Sequence, residues 1–247
     1  MYFYQIIHED VNKLRGHIVS IIGGGGKSSL LLKMGKELAE QSLQVILTST
    51  TKTQPLPNIG LVLSADNPNF LSEVQVLLEE LRIALVAKTY YKKDSLIGVN
   101  IPTIFDLTSV GDILLIEADG SRKRSLKTHK ESEPVISPNS TAVIILCGAN
   151  VVGELLNEET VHRAELFSQK WRLPFGTVLT PEIIANELLS PHSYLRNIPL
   201  RAEVRILINQ CDKNPIGGRL LAEHLTKKCH YPVYLGSIQQ TKLERIA

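Results

Sequence analysis

The chain has little that would mark a secreted, membrane-bound or nucleic-acid-binding protein. Its three cysteines, Cys147, Cys211 and Cys229, are odd in number and far apart, with no paired spacing of the metal-binding kind. We expect reduced thiols. No apolar run approaches the length of a bilayer span, and the first residues, MYFYQIIHED, turn acidic without a basic segment or a cleavage site. Charge is nearly balanced, with 27 basic and 25 acidic residues for a formal net charge of +2. That balance provides no field to gather nucleic acid or an anionic membrane. A Ser-His-Asp order, an HExxH pattern and a cysteine-nucleophile context are missing, as are internal repeats, low-complexity tracts and a clear linker. The expectation is a cytoplasmic protein with neither nucleic-acid nor membrane partners, folded as one domain over residues 1–247.

What is present alternates. Strand-like apolar runs fall near 17–22, 43–48, 59–63, 83–87, 112–118, 142–147, 204–208 and 232–236, several of them apolar on both faces. Helical patterns lie between them: Leu30, Leu31, Met34 and Leu38 in one, and Phe70, Val74, Leu77, Leu78 and Leu81 in another. Thr180-Pro181-Glu182 opens a third, with a cap, a proline at the first helical position and an early carboxylate. The stretches 88–103, 119–140 and 190–202 are the least regular. Such alternation predicts a mostly parallel, doubly wound sheet between helical layers.

Residues 17–29 read HIVSIIGGGGKSS, an apolar run, four glycines and a Lys-Ser pair opening a helix. Backbone N–H groups of Gly23, Gly24, Gly25 and Gly26 can approach phosphate oxygens that a Cβ would block, at an entropic cost of ~1 kcal/mol per glycine that a plain turn would avoid. Lys27 supplies charge to the β and γ phosphates. Ser28 offers a hydroxyl to Mg²⁺, and Ser28 and Ser29 lie where the helix dipole favours an anion. Ile21 stands where the usual pattern has its first glycine, so the loop is short, as in Mur-type ligases. In that setting the expected fold is an α/β, P-loop NTPase-like three-layer sandwich.

Four further segments carry candidate chemistry. In GDILLIEADGS (111–121) an apolar strand ends in Glu117 and Asp119, which project to one side. Asp119 with Ser28 is the expected metal pair, and Glu117 is placed to orient water. TSTTK (48–52) sets hydroxyls, Thr51 among them, and Lys52 at another strand end. ILINQCDKN (206–214) has the Asn-x-x-Asp spacing with which many GTP-binding proteins read guanine; Asn209 and Asp212 fit, while Gln210 replaces the usual lysine. Either ATP or GTP is therefore open. In SRKRSLKTHKESEPVIS (121–137) the cations Arg122, Lys123, Arg124, Lys127 and Lys130 follow the acidic strand end, and Lys127 is the expected contact to an anionic group. His162-Arg163 is read as part of a helix.

The ordered series GGGGKSS, TSTTK, EADGSRKRSLKTHKESEPVIS, VHRAELF, LTPE and LINQCD resembles the YqeC-like family over almost the full chain. Those proteins are described as accessory or cofactor-biosynthesis proteins for selenium-dependent molybdenum hydroxylases. The resemblance implies site roles for Lys27, Ser28, Thr51, Lys52, Glu117, Asp119, Lys127, Glu133, Arg163, Asn209 and Asp212. Ser125, His129 and Ser137 stand where the family pattern favours proline, and Ser49 replaces a threonine. Together the readings predict a Mg²⁺-dependent ATP- or GTP-binding protein, an NTPase serving maturation of a molybdenum or selenium enzyme. A kinase or ligase acting on a small anionic substrate, or a non-hydrolysing nucleotide sensor, are the alternatives.

Overall fold

Segments that are apolar on both faces need cover on both sides, and all eight predicted runs form strands of one sheet. A computed structural model of the chain describes residues 1–92 and 95–246. The main sheet comprises β1 (His17–Gly23), β2 (Val45–Ser49), β3 (Gly60–Leu63), β4 (Ile83–Ala87), β5 (Ile113–Glu117), β6 (Ala142–Gly148), β7 (Glu203–Asn209), β8 (Val233–Ser237) and β9 (Lys242–Arg245). Their spatial order is β9-β8-β7-β6-β1-β5-β2-β4-β3. Neighbours run parallel, except for the antiparallel pair β8 and β9. The ninth strand lacks the apolar alternation that reveals the others. Its charged residues sit at an open sheet edge, where they discourage further pairing.

Alternation along the strands builds two cores. Val19 and Ile21 of β1, with Ile113 and Leu115 of β5, face α1 (Lys27–Glu40), which buries Leu30, Leu31, Met34 and Leu38 against them. Phe3 and Ile6, from a short 3-10 turn, complete that layer. Ile18, Ile22, Leu114 and Ile116 face the opposite side. There α2 (Phe70–Leu81), α3 (Ile101–Leu107), α4 (Ala164–Trp171), α5 (Pro181–Leu188) and α6 (Pro215–Lys228) contribute Val74, Leu78, Ile104, Phe167, Ile184 and Leu221. Burying each such side chain contributes roughly 1.5–3 kcal/mol, so both faces are strongly held. Thr180 caps α5 as predicted, its hydroxyl accepting from Ile183 N–H.

Two irregular stretches acquire local order. Thr89–Lys92 and Ser95–Ile97 pair as antiparallel strands of a small hairpin sheet; Lys93 and Asp94 lie outside the described residues. Val161–His162 pairs in parallel with Leu126–Lys127. His162-Arg163 is thus not helical, contrary to expectation. Arg163 takes a left-handed φ of 64° as the cap residue of α4, which starts at Ala164. Among the described residues no helix is long and apolar enough to cross a membrane. The chain leaves β1 toward β2 and later returns to flank it with β5 and β6, which opens a crevice at the carboxyl end of β1.

Candidate functional site

The four glycines turn the chain between β1 and α1 at that crevice. Gly25 and Gly26 hold φ of 84° and 118°, values L side chains rarely adopt. Gly24 is needed for proximity, since a Cβ there would lie 2.5 Å from the Arg124 carbonyl oxygen. The loop's donors divide into two sets. Gly23 N–H donates to Asp119 Oδ2, Gly24 N–H to the Leu146 carbonyl and Gly25 N–H to the Arg124 carbonyl, each at 2.9 Å. By contrast, the N–H groups of Gly26, Lys27, Ser28 and Ser29 meet no acceptor among the described residues, because α1 has no side-chain N-cap. The donors available to an anion therefore sit one step further along than expected. They are the first turn of α1, with Ser28 and Ser29 exposed, rather than the glycine amides as a group.

Lys27 is 3% exposed and points back over the loop. Its ammonium lies 2.5 Å from the Gly23 carbonyl oxygen, 3.2 Å from Ser121 Oγ, 3.1 Å from Asp119 Oδ1 and 3.8 Å from Glu117 Oε1. Both carboxylates do project to one side, and Lys27 bridges them. The hydroxyl of Ser28, however, meets Glu117 Oε2 at 2.8 Å and not Asp119. Asp119 is fully buried, and its Oδ2 also receives His129 Nε2 at 2.5 Å and Lys127 Nζ at 3.3 Å. Burial works against its negative charge, but Lys27, then His129 and Lys127, outweigh it and hold the carboxyl well below the usual range. For Glu117 burial dominates and pushes the pKa up, against Lys27 and Ser28.

No group of three or more His, Cys, Asp or Glu among the described residues could hold a metal alone. Mg²⁺ does not need one, because it keeps waters and shares phosphate oxygens. The adjacent oxygens of Ser28 and Glu117 fit such an ion. Asp119, already enclosed by cations, does not, which revises the expected metal pair.

Lys127 also differs from expectation. It is wholly buried, and its ammonium is occupied by the Gly120 carbonyl at 2.7 Å, Glu133 Oε2 at 3.1 Å and Asp119. Burial lowers its pKa, opposed by the two carboxylates. It is a buried junction and not a free contact for a substrate. Arg163 grips Glu133 with both terminal nitrogens and donates to the Thr128 carbonyl at 3.1 Å. Burial opposes the Glu133 charge, yet Arg163 and Lys127 bring its pKa down to about 2.

Beyond Asp119 the polar chain continues through residues that sequence reasoning did not connect. His129 Nδ1 lies 3.1 Å from Ser193 Oγ, and Ser193 donates to Glu187 Oε1 at 2.6 Å. Glu187 further accepts from Thr128 Oγ1 at 3.0 Å, Lys170 Nζ at 2.7 Å and Trp171 Nε1 at 2.7 Å. The Tyr194 ring meets His129 edge-on, 4.7 Å between centroids. Asp119, His129 and Ser193 thus line up as in a hydrolase triad. Ser193, though, is fully buried and commits its proton to Glu187, so the line serves packing and not nucleophilic attack.

The remaining predicted residues separate. The hydroxyls of Thr48, Ser49 and Thr50 bond the carbonyls of Val86, Glu117 and Val135, each at 2.8 Å, and so tie strand ends together. Thr51 N–H donates to Ser49 Oγ, and Lys52 turns onto the hairpin, 3.3 Å above the Tyr91 ring. Asn209 is buried; its Nδ2 donates to the Gly25 carbonyl at 2.7 Å while Oδ1 accepts from Ile238 N–H at 3.0 Å. It clamps the glycine loop. Asp212 is exposed at the rim of a cavity of about 410 Å³ shared with Arg219 and Ser237.

The chain has relatives among known proteins. The chain is 28% identical over 234 residues, 92% of its own length and 89% of the other, to the "Uncharacterized protein YqeC" of Escherichia coli (strain K12). Among solved structures it is similar to the hydrogenase maturation factor HypB of Archaeoglobus fulgidus, with TM-score 0.44, 13% identity, and coverage of 97% of this chain and 92% of that one. HypB of Helicobacter pylori, solved with nickel, gives TM-score 0.42 and 13% identity over 93% and 82%. Likeness at that level adds nothing to what the strand order already establishes. The model of the YqeC protein family matches residues 19–165, more than half of the chain and most of the site just described, and the chain belongs to the YqeC family.

Proposed function

We propose that the protein binds a magnesium nucleoside triphosphate, ATP or GTP, and cleaves or transfers its terminal phosphate. One observation carries this reading. Lys27 opens a helix whose first N–H groups, Gly26 to Ser29, meet no acceptor among the described residues, at the carboxyl edge of a parallel sheet. A polyphosphate offers those donors the acceptors they lack and competes with Asp119 and Ser121 for Lys27. Ser28 and Glu117 would hold Mg²⁺, which when bound neutralises charge on the phosphate oxygens. Glu117 would also orient a water, and Asn209, bonded to the Gly25 carbonyl, would hold the loop behind the phosphates.

Asp212 is the candidate for reading the base, a carboxylate that can accept from the ring N–H and amine of guanine. The role in maturing a selenium-dependent molybdenum hydroxylase or its cofactor follows from the family resemblance and belongs to the same proposal. Calorimetry with ATP, GTP and CTP in Mg²⁺ tests the core of it. Lys27→Ala should abolish binding, and an affinity equal to that of the unaltered protein refutes the assignment. Asp212→Asn should erase any preference for GTP; a preserved preference removes Asp212 from the base site.

A further inference from the structure

The segment Ser121–Arg124 is a tight turn in which Arg124 N–H donates to the Ser121 carbonyl at 2.9 Å. Both central residues have positive φ, 47° at Arg122 and 64° at Lys123. That is the pattern of a type I′ turn, whose central positions favour Asn and Gly. Filling them with two long cations strains the backbone, and such strain concentrates where function requires it. The turn is fixed to the nucleotide loop at both ends. Ser121 Oγ lies 3.2 Å from Lys27 Nζ, and the Arg124 carbonyl receives the Gly25 N–H at 2.9 Å.

The Arg124 side chain is occupied, its Nε donating to the Glu158 carbonyl at 2.7 Å. Arg122 and Lys123 are exposed and make no hydrogen bond or ion pair among the described residues. The basic run of the sequence therefore sorts into one buried junction, Lys127, one anchored arginine, and three exposed cations, of which Arg122 and Lys123 sit in the turn fixed to Lys27 and the glycine loop.

We infer that Arg122 and Lys123 bind the terminal phosphate of the nucleotide, Arg122 stabilising the charge that develops as that phosphate departs. The inference rests on the nucleotide reading above. A guanidinium spans two phosphate oxygens at once, and an arginine supplied from within the same chain is a known way to speed phosphoryl transfer. In hydrolysis a water oxygen bonds to the terminal phosphorus, and the bond to the bridging oxygen breaks. The electron pair stays on the diphosphate, and the proton of the water passes to the released phosphate. Arg122 neutralises the oxygens on which negative charge grows.

The test titrates the full chain by calorimetry with MgATP, MgADP, MgGTP and MgGDP, and measures phosphate release. The variants are Arg122→Asn and Lys123→Asn, alone and together, because asparagine keeps the left-handed turn while removing the charge. Arg122→Lys serves as the conservative variant, and Lys130→Ala, an exposed residue of the same basic run, as the control. The unaltered protein should bind triphosphate about tenfold or more tighter than diphosphate. The double variant should bind both alike, with diphosphate affinity changed by less than about twofold. Arg122→Lys should recover part of the preference, and phosphate release should fall about 100-fold or more in Arg122→Asn. A triphosphate-to-diphosphate ratio unchanged in the double variant overturns this inference and leaves the nucleotide reading standing. An unaltered chain that binds none of the four nucleotides overturns both.

Discussion

Replacing Glu187 with glutamine keeps its shape but removes one acceptor and the charge, and the surrounding donors dictate the consequence. Its Oε2 faces the Lys170 ammonium and the Trp171 N–H, neither of which can accept a hydrogen bond. The new NH₂ must therefore turn to the Oε1 side, toward the hydroxyls of Thr128 and Ser193. Both hydroxyls then reverse and accept, and the Ser193 proton goes to His129 Nδ1, 3.1 Å away. In the unaltered protein that proton is committed to Glu187. His129 Nδ1 there faces a hydroxyl that gives its proton elsewhere, while Nε2 serves Asp119 at 2.5 Å. Burial draws the pKa of His129 down against the pull of Asp119. Glu187→Gln thus trades charge-assisted bonds, including the Lys170 pair, for neutral ones, at a cost of about 3 kcal/mol. It also gives His129 Nδ1 a hydroxyl donor that Glu187 otherwise holds. Urea unfolding measures the first effect, and imidazole nitrogen shifts in NMR spectra measure the second. A loss below about 1 kcal/mol, or an unchanged Nδ1 shift of His129, refutes the account.

Other perturbations probe the site more directly. Asn209→Ala leaves the Gly25 carbonyl and the Ile238 N–H without their partner, so stability should fall by about 2 kcal/mol and nucleotide affinity by tenfold or more. Equal affinity in that variant would show that the loop needs no clamp. Gly24→Ala sets a methyl 2.5 Å from the Arg124 carbonyl oxygen and must disturb the neighbouring Gly25 bond to the same oxygen. Nucleotide binding should vanish while circular dichroism retains the native spectrum, and intact binding would count against the loop geometry. Glu133 gives a pH signature. Its pKa falls from 4.5 to about 2 on folding, so its contribution is fully present above about pH 4.5 and is lost as pH falls toward 2. The whole window amounts to about 3 kcal/mol. Acid titration of unfolding should be flatter in Glu133→Gln across that window, and identical slopes would remove the Arg163 and Lys127 pairing as its cause.

The sheet was legible because its signal is local. Runs such as ILLIE in β5 are apolar on both faces, and a parallel strand buried between helices has few other ways to look. The glycine loop was legible for a similar reason, since φ values of 84° and 118° leave little choice of residue. Its function was read less sharply. Sequence spacing places Gly23 to Gly26 at the turn but cannot say which N–H groups the strands beside it will consume. Leu146 and Arg124, more than 95 residues away along the chain, take two of them. The burial of Lys127 escapes the sequence on the same ground. A run of cations reads as solvated until a two-residue pairing with Val161–His162 pulls one member inside. Glu187 and Ser193 gave no signal, because hydrogen bonds across 59 and 64 residues leave no periodicity.

Charge around Asp119 explains how Lys27 can serve two masters. One carboxylate faces Lys27, Lys127 and His129, while Glu133 answers Lys127 and Arg163. Lys27, Lys127 and Arg163 match Asp119, Glu133 and Glu117 in this cluster before His129 is counted, and Arg122 and Lys123 add positive charge from outside. When Lys27 turns to a phosphate, Asp119 keeps Lys127, His129 and the Gly23 N–H, whereas Glu117 keeps only the Ser28 hydroxyl and, on the proposed reading, exchanges Lys27 for Mg²⁺. The arriving anion, on the proposed reading, meets a site whose surplus positive charge it neutralises, and whose supporting bonds stay intact as it enters.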